Sequence, residues 1–382
     1  MTAVRVAHVS SYRPDNANGV HRAVAALTQH LPAQGISTEV WHFTRHVTDP
    51  VEYQHGDLTV VQLPFLAFLH GTSAVWRIVR WAPPVTRAWV ASARSRIDVF
   101  HFHSVFQPEN LWLSRSARTY VITPHGGYSS HSLADRNRLG KVAMLQLFEA
   151  RYVAGATLVH IVSENERNDV RRIAPSVPVA CIPNGIDREM LAPLPFSPRG
   201  PFLYAGRIAV RQKGLDLLVA SYARARRFAG PSMPDLILVG PDFRGGRAQL
   251  QHLATRLDVS DHVAFRAAGS RSQLRDYLAE ASVFVHTSRW EGLPLSVLEA
   301  MASGRPVLVT NGTNLAGEVR RAGAGVAVET NVQSITQGLM DLAGSTESEL
   351  RQMAGAGRDF ALREYSWPTL AERFAEMYRR IA

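Results

Sequence analysis

Arg207 and Lys213 stand six positions apart in the second half of this 382-residue chain, directly after the apolar run Phe202 to Ala205. A cation just past a strand end and another at the start of the next helix can converge on one anion, with the helix dipole behind them. Such a pair suits a diphosphate; a solvated pair of charges is the competing reading. Lys213 gains interest because it and Lys141 are the only lysines among 42 Lys and Arg residues. Further along, Glu291 and Glu299 enclose the seven residues Gly292-Leu293-Pro294-Leu295-Ser296-Val297-Leu298. The spacing predicts a loop running into a helix from Pro294 to Ser303, with Glu291 just ahead of its amino end and Glu299 on it. A carboxylate beside exposed N–H groups suits hydroxyl recognition, because each acid accepts two hydrogen bonds from a vicinal diol. Glu299 sits in the apolar context SVLEAMA, where a buried acid needs a partner.

Two patterns in the first half add to this set. Thr123-Pro124-His125-Gly126-Gly127-Tyr128 closes a strand-like run, which places the His125 imidazole on a sheet rim where glycines let a ligand approach the backbone. Gly19, between the first strand and the helix beginning near His21, is suited to a strand-to-helix turn that brings a phosphate to backbone N–H groups. A plain turn glycine is the competing reading there, and an incidental histidine at His125, one of 15.

The elements that must position these residues are short β-branched runs alternating with longer amphipathic segments, the pattern of parallel sheets covered by helices. Strands are predicted at Val4 to Val9, Thr38 to Phe43, Leu58 to Leu63, Asp98 to His103, Tyr120 to Thr123, Thr157 to Val162 and Val177 to Ile182. The second half repeats the theme at Phe202 to Ala205, Leu236 to Val239, His262 to Phe265, Val283 to His286, Pro306 to Thr310 and Gly325 to Glu329. Between them Pro193 to Pro201 holds four prolines in nine residues, which fits neither a sheet centre nor a helix interior and reads as a linker. The expected division is therefore an N-terminal Rossmann-like domain over 1–190 and a second over 191–365. Ser366 then caps a final helix over 366–382 that crosses back to the first domain. Open α/β sheets bind ligands at the carboxyl ends of their strands, so the cleft between the domains is the expected active site.

Composition bounds the alternatives. Apolar residues form 46% of the chain and charged residues 19%, as in an ordinary globular protein. The lone Cys181 excludes an internal disulfide and any CxxC metal or redox motif. No run approaches ~20 apolar residues, as a membrane span requires, and the N-terminus lacks the marks of a signal peptide, so a cytoplasmic protein is expected. The net charge of +10 suits phosphate-bearing partners. Nucleic acid is disfavoured, because the cations are scattered and no RRM, KH or zinc-finger signature occurs. A phosphate-binding loop of the form GxxxxGK[ST] is excluded, since Val142 and Gly214 follow the two lysines. The apolar run Leu63 to Leu69 and the Trp/Arg-rich Val75 to Trp81, followed by Arg87 and Trp89, can lie in an anionic bilayer interface. An ordinary amphipathic helix over the N-terminal sheet is the alternative.

Taken together, Arg207 with Lys213, Glu291 with Glu299, the TPHG segment at His125, Ile182-Pro183-Asn184-Gly185-Ile186-Asp187 and the ending with Ser366-Trp367 resemble the retaining glycosyltransferases of family GT4. That family has the two-Rossmann GT-B architecture. The resemblance implies that Glu299 holds a nucleotide ribose and that Glu291, with the adjoining Gly292 and Leu293, contacts the donor sugar. It further implies that Arg207 and Lys213 bind the diphosphate with help from backbone near Gly19, and that His125 sits beside the transferred sugar. Where the family often has Gly-Gly, this chain has Asn18-Gly19.

When the anomeric bond breaks, charge builds on the departing diphosphate and must meet fixed cations. With no Asp-x-Asp in the chain, Arg207, Lys213 and helix amino ends are expected to serve without a metal and without a cofactor. The resemblance implies front-face transfer with retention from a nucleoside diphosphate sugar, UDP-linked ahead of GDP-linked. The acceptor would be a lipid-linked saccharide at the inner face of the membrane, as in polysaccharide assembly, or a soluble small molecule. A nucleotide-sugar 2-epimerase of the same architecture, which needs no acceptor, is the competing enzyme.

Overall fold

A computed structural model describes residues 3–12, 19–67, 80–129, 133, 138–186, 188–267 and 269–382. The chain forms two compact units, Met1–Asn184 with Trp367–Ala382, and Gly185–Ser366.

The first unit is built on eight strands: β1 (Val4–Val9), β2 (Ile36–Thr44), β3 (Val51–His55), β4 (Leu58–Pro64), β5 (Val99–His103), β6 (Tyr120–Thr123), β7 (Leu158–Ile161) and β8 (Val179–Cys181). Their order in the sheet is β8-β7-β6-β5-β1-β2-β4-β3, parallel throughout except for β3, which pairs antiparallel with β4. The central strands are largely buried, with His8 on β1 and His101 and His103 on β5 among their buried polar positions, while β3 is largely exposed and polar. One face is covered by helices α1 (Gly19–His30) and, from the far end of the chain, α6 (Trp367–Ile381). Here Leu27 and Leu31 pack with Leu370, Phe374 and Tyr378. Arg87 and Trp89 of the proposed interfacial segment lie on the helix Pro84–Ala93, where Trp89 packs edge-on to the buried Trp41 at 5.0 Å. The Trp89 ring is partly buried against the core, while Trp76, Arg77 and the rest of 68–79 lie outside the described residues. Among the described residues no helix is long and apolar enough to cross a membrane.

The second unit carries six parallel strands, β9 (Phe202–Ala205), β10 (Leu236–Val239), β11 (Val263–Arg266), β12 (Val283–His286), β13 (Val307–Thr310) and β14 (Gly325–Val328), in the order β11-β10-β9-β12-β13-β14. Its helices include α2 (Leu215–Ala229), α3 (Arg271–Glu280), α4 (Leu295–Ala302) and α5 (Glu347–Tyr365). The strand order reverses between β9 and β12, which makes the carboxyl ends of these two strands the natural ligand-binding edge.

The proline-rich stretch is not the crossing between the units, contrary to the linker reading. The chain crosses at 184/185 and again at 366/367, and 193–201 is fastened inside the second unit. The fully buried Arg305 donates to the carbonyls of Leu194 (3.1 Å) and Pro195, and its guanidinium stacks on Phe196 at 5.1 Å. Prolines cannot donate to a ladder, but the carbonyls of the stretch still accept, and one arginine gathers those of Leu194 and Pro195.

Candidate active site

In the second unit, β9 ends at Ala205, and the chain turns through Gly206 and Arg207 into the single helical turn Val210–Lys213. Gly214 then opens α2 in the left-handed region, at φ 60°. A Cβ on Gly214 would come within 2.1 Å of the Thr287 carbonyl oxygen, so the turn after Lys213 is pressed against the end of β12. Thr287 Oγ1 closes that contact by donating to the carbonyls of Lys213 (3.2 Å) and Gly214 (3.1 Å). Lys213 is thereby delivered to the loop that leaves β12.

That loop carries Glu291, and the two predicted site residues bond to each other: the Lys213 ammonium forms a part-buried ion pair with Glu291 Oε1. Ser288 Oγ donates to the same oxygen at 2.7 Å, and His286 Nε2 lies 3.2 Å from it. All of these bonds fall on Oε1, leaving Oε2 without a hydrogen bond among the described residues. Burial acts first on this carboxyl and raises its pKa, but the bond and charge of His286 and then Lys213 outweigh it and hold the group down to about 2. His286 is shifted below its usual range, chiefly by burial. The loop is pinned from the other side by Asn314, whose amide donates to the carbonyls of Glu291 and Gly292.

Arg207 is not drawn into this cluster. Its guanidinium stacks 4.6 Å over Phe243 and donates to Gln212 Oε1 at 3.0 Å. Glu299 stands apart too, buried on α4, where Arg271 at the head of α3 donates to its Oε1 at 3.0 Å. Gly292 and Leu293 lie between the acids on the loop into α4. An added Cβ on Gly292 would meet nothing within 4 Å, so packing does not require a glycine there.

In the first unit, Gly19 opens α1 and likewise has open space beside it; Asn18 lies outside the described residues. His125 sits two residues beyond β6 with φ 50°. Its loop is tied down by Glu166 Oε2, which accepts from the Gly126 N–H at 3.0 Å. Glu149 joins the same region by accepting from Phe106 N at 2.8 Å and the Tyr128 hydroxyl at 2.5 Å. Burial, only partly offset by those two bonds, raises Glu149 to about 7. His125 Nε2 faces His103 Nδ1 at 3.3 Å, and His103 Nε2 faces His8 Nδ1 at 3.0 Å. Burial lowers all three imidazoles far below their usual range, His8 and His125 to about 3.

One ring nitrogen from each of His8, His101 and His103 lies within 4.8 Å of the other two, the one such group among the described residues. Both nitrogens of His101 are engaged, by the Tyr378 hydroxyl and by Thr123 Oγ1, each at 2.6 Å. Both nitrogens of His103 are engaged by histidines. The donor set is that of a hydrogen-bonded array.

Residues 194–359 match the family described as glycosyl transferases group 1, and residues 17–190 match glycosyltransferase family 4. The chain is also 30% identical over 327 residues to the alpha-maltose-1-phosphate synthase of Mycobacterium tuberculosis, covering 76% of this chain and 81% of the relative. The chain belongs to the group 1, family 4 glycosyltransferases. A second relative, the D-inositol 3-phosphate glycosyltransferase of Streptomyces scabiei, is 27% identical over 407 residues, 95% of this chain and 86% of that one. Among solved structures, the sucrose-phosphate synthase of Thermosynechococcus elongatus superposes with a TM-score of 0.75 at 19% identity, over 99% of this chain and 98% of that one. This places the glycosyltransferase in the GT-B fold.

Sequence reading of this glycosyltransferase missed Ser288, His286, Asn314 and Arg271. The first two carry a local signal, the polar run His286-Thr287-Ser288 directly after an apolar strand; Arg271 and Asn314 carry none. The histidine row has its own trace in the alternation His101-Phe102-His103, which puts two imidazoles on one sheet face.

Proposed function

We propose that this chain moves a sugar from a nucleoside diphosphate sugar to a hydroxyl acceptor, with retention of anomeric configuration and with cations in place of a metal ion. The observation that carries this reading is Glu291. Its Oε1 is fixed by Lys213, Ser288 and His286 at the strand-order reversal, while Oε2 is free to accept from a sugar hydroxyl. Lys213, already oriented by that carboxylate, and Arg207 supply positive charge for the departing diphosphate, where developing charge is best met by groups already in place. Glu299 is assigned to the ribose diol, and Gly292, Leu293 and Gly19 to close backbone approach. His125 is assigned to sugar recognition by the first unit. UDP-linked donors stand ahead of GDP-linked ones, and the acceptor is a small soluble polyol or a lipid-linked saccharide met at the cytoplasmic face of a membrane.

The test is a transfer assay over a panel of UDP and GDP sugars with EDTA present, using inositol phosphate and polyprenyl diphosphate-linked sugars in vesicles as acceptors, with NMR of the product anomer. Transfer with retention by the wild type, and none by a folded Glu291→Ala, is expected. Dependence on Mg²⁺, an inverted product, or full activity in that variant refutes the reading.

A further inference from the structure

The two hydrogen-bonded rows inside the first unit determine where their protons lie. In the row anchored at Ile182, the carbonyl can only accept, so His160 Nε2, 2.7 Å away, carries the proton. His160 Nδ1 then accepts from the Thr123 hydroxyl at 2.7 Å, Thr123 accepts from His101 Nε2, and His101 Nδ1 accepts from the Tyr378 hydroxyl. Every donor meets an acceptor.

The second row, His8, His103 and His125, runs beside it, with His101 and His103 stacked at 4.2 Å. A neutral imidazole has one N–H and one lone pair, so the row has a single direction throughout. Its inner end decides which. His8 Nε2 is buried with no hydrogen-bond partner among the described residues. A proton on that atom would be an orphaned buried donor, the kind folded proteins rarely tolerate. The proton of His8 therefore sits on Nδ1 and is donated to His103 Nε2, and His103 donates from Nδ1 to His125 Nε2. His125 is left with its proton on Nδ1, the nitrogen that bonds to no described residue.

We propose that His8 and His103 are positioning residues that hold His125 in the Nδ1–H tautomer, so that it offers the sugar a hydrogen-bond donor rather than an acceptor. This rests on the reading of His125 as a sugar-recognition residue. The lowered basicity of all three rings keeps the row neutral across the physiological range. A free imidazole favours the opposite tautomer, which makes the assignment readable.

The experiment is a long-range ¹H–¹⁵N correlation on the full chain labelled at histidine, with transfer kinetics on two His8 variants. In the wild type, Nδ1 of His125 should be protonated and Nε2 unprotonated. His8→Leu removes the first donor, so His125 should shift toward Nε2–H and kcat should fall about tenfold, the worth of one neutral hydrogen bond, with KM for the nucleotide sugar nearly unchanged. His8→Asn places an amide N–H near the lost Nδ1–H and should restore both. A wild-type proton on Nε2 overturns the proposal, even if His8→Leu fails to fold. A proton on Nδ1 with undiminished transfer by His8→Leu instead overturns the placement of His125 at the sugar, and with it the role of the row.

Discussion

Replacing Lys213 by Met keeps most of the side-chain volume and removes the ammonium that faces Glu291. The carboxyl of Glu291 is held from 4.5 down to about 2, a shift that corresponds to about 3 kcal/mol. Because Ser288 and His286 still donate to Oε1 after the change, only part of this is lost, and we expect about 1–2 kcal/mol of destabilisation. For a two-state unit of this size that lowers the melting temperature by roughly 2–8 °C. The pH dependence has a definite sign. A carboxyl with a depressed folded pKa stabilises the fold above its unfolded value, and the contribution disappears as pH falls through the folded value. The gap between wild type and Lys213→Met should therefore be full at pH 7 and shrink as pH falls from about 4.5 toward 2. If Lys213 also faces the departing diphosphate, kcat/KM drops at least ~100-fold, about 2.7 kcal/mol of transition-state stabilisation. Urea unfolding at pH 7 and pH 3, with kinetics at pH 7, separates the two effects. A destabilisation equal at both pH values refutes the ion-pair account, and a turnover within a few-fold of wild type refutes the catalytic one.

Three further outcomes follow from the geometry. Glu149, with its folded pKa raised from 4.5 to about 7, makes stability fall as pH rises through that interval; Glu149→Gln should flatten the fall, as measured by urea midpoints from pH 5 to 8. Tyr378→Phe leaves His101 Nδ1 without its donor inside the core and should cost about 1–3 kcal/mol by thermal unfolding. Gly214→Ala puts a Cβ within 2.1 Å of the Thr287 carbonyl at φ 60°, so the turn must shift, and circular dichroism should show unfolding at least 5 °C earlier, with transfer lost in the same variant.

The fold was legible where local chemistry is one-sided. The strands at Val4–Val9, Tyr120–Thr123, Phe202–Ala205, Leu236–Val239 and Val283–His286 coincide with the predicted runs to the residue, because strands packed under helices are dominated by β-branched and apolar residues. The edge strand Val51–His55 was not foreseen, since it is mostly exposed and its Val-Glu-Tyr-Gln-His alternation is short and has no apolar run to mark it. The candidate site was legible as a set of residue types near strand ends, but not as a set of contacts. Lys213 and Glu291 are separated by 78 positions, and only the pressing of Gly214 on Thr287 brings them together. The proline-rich stretch misled for a physical reason: proline content reports missing donors, whereas this segment is held through its carbonyls by a buried arginine that no local pattern announces.

The first unit is completed by the last residues of the chain. Phe374 and Tyr378 fill its core, and Tyr378 supplies the first donor of a buried row that ends at Ile182. During synthesis the ribosome makes Met1–Asn184, then the whole second unit, and only then the helix that closes the first. At ~5–20 residues per second the wait is on the order of 10–40 s. Through that interval His101 lacks the Tyr378 hydroxyl, and the sheet face meant for α6 is bare. The second unit, translated later but uninterrupted in sequence, is the earlier of the two to become whole, so a chain ending at Ser366 holds every residue of the second unit and a first one still open to water.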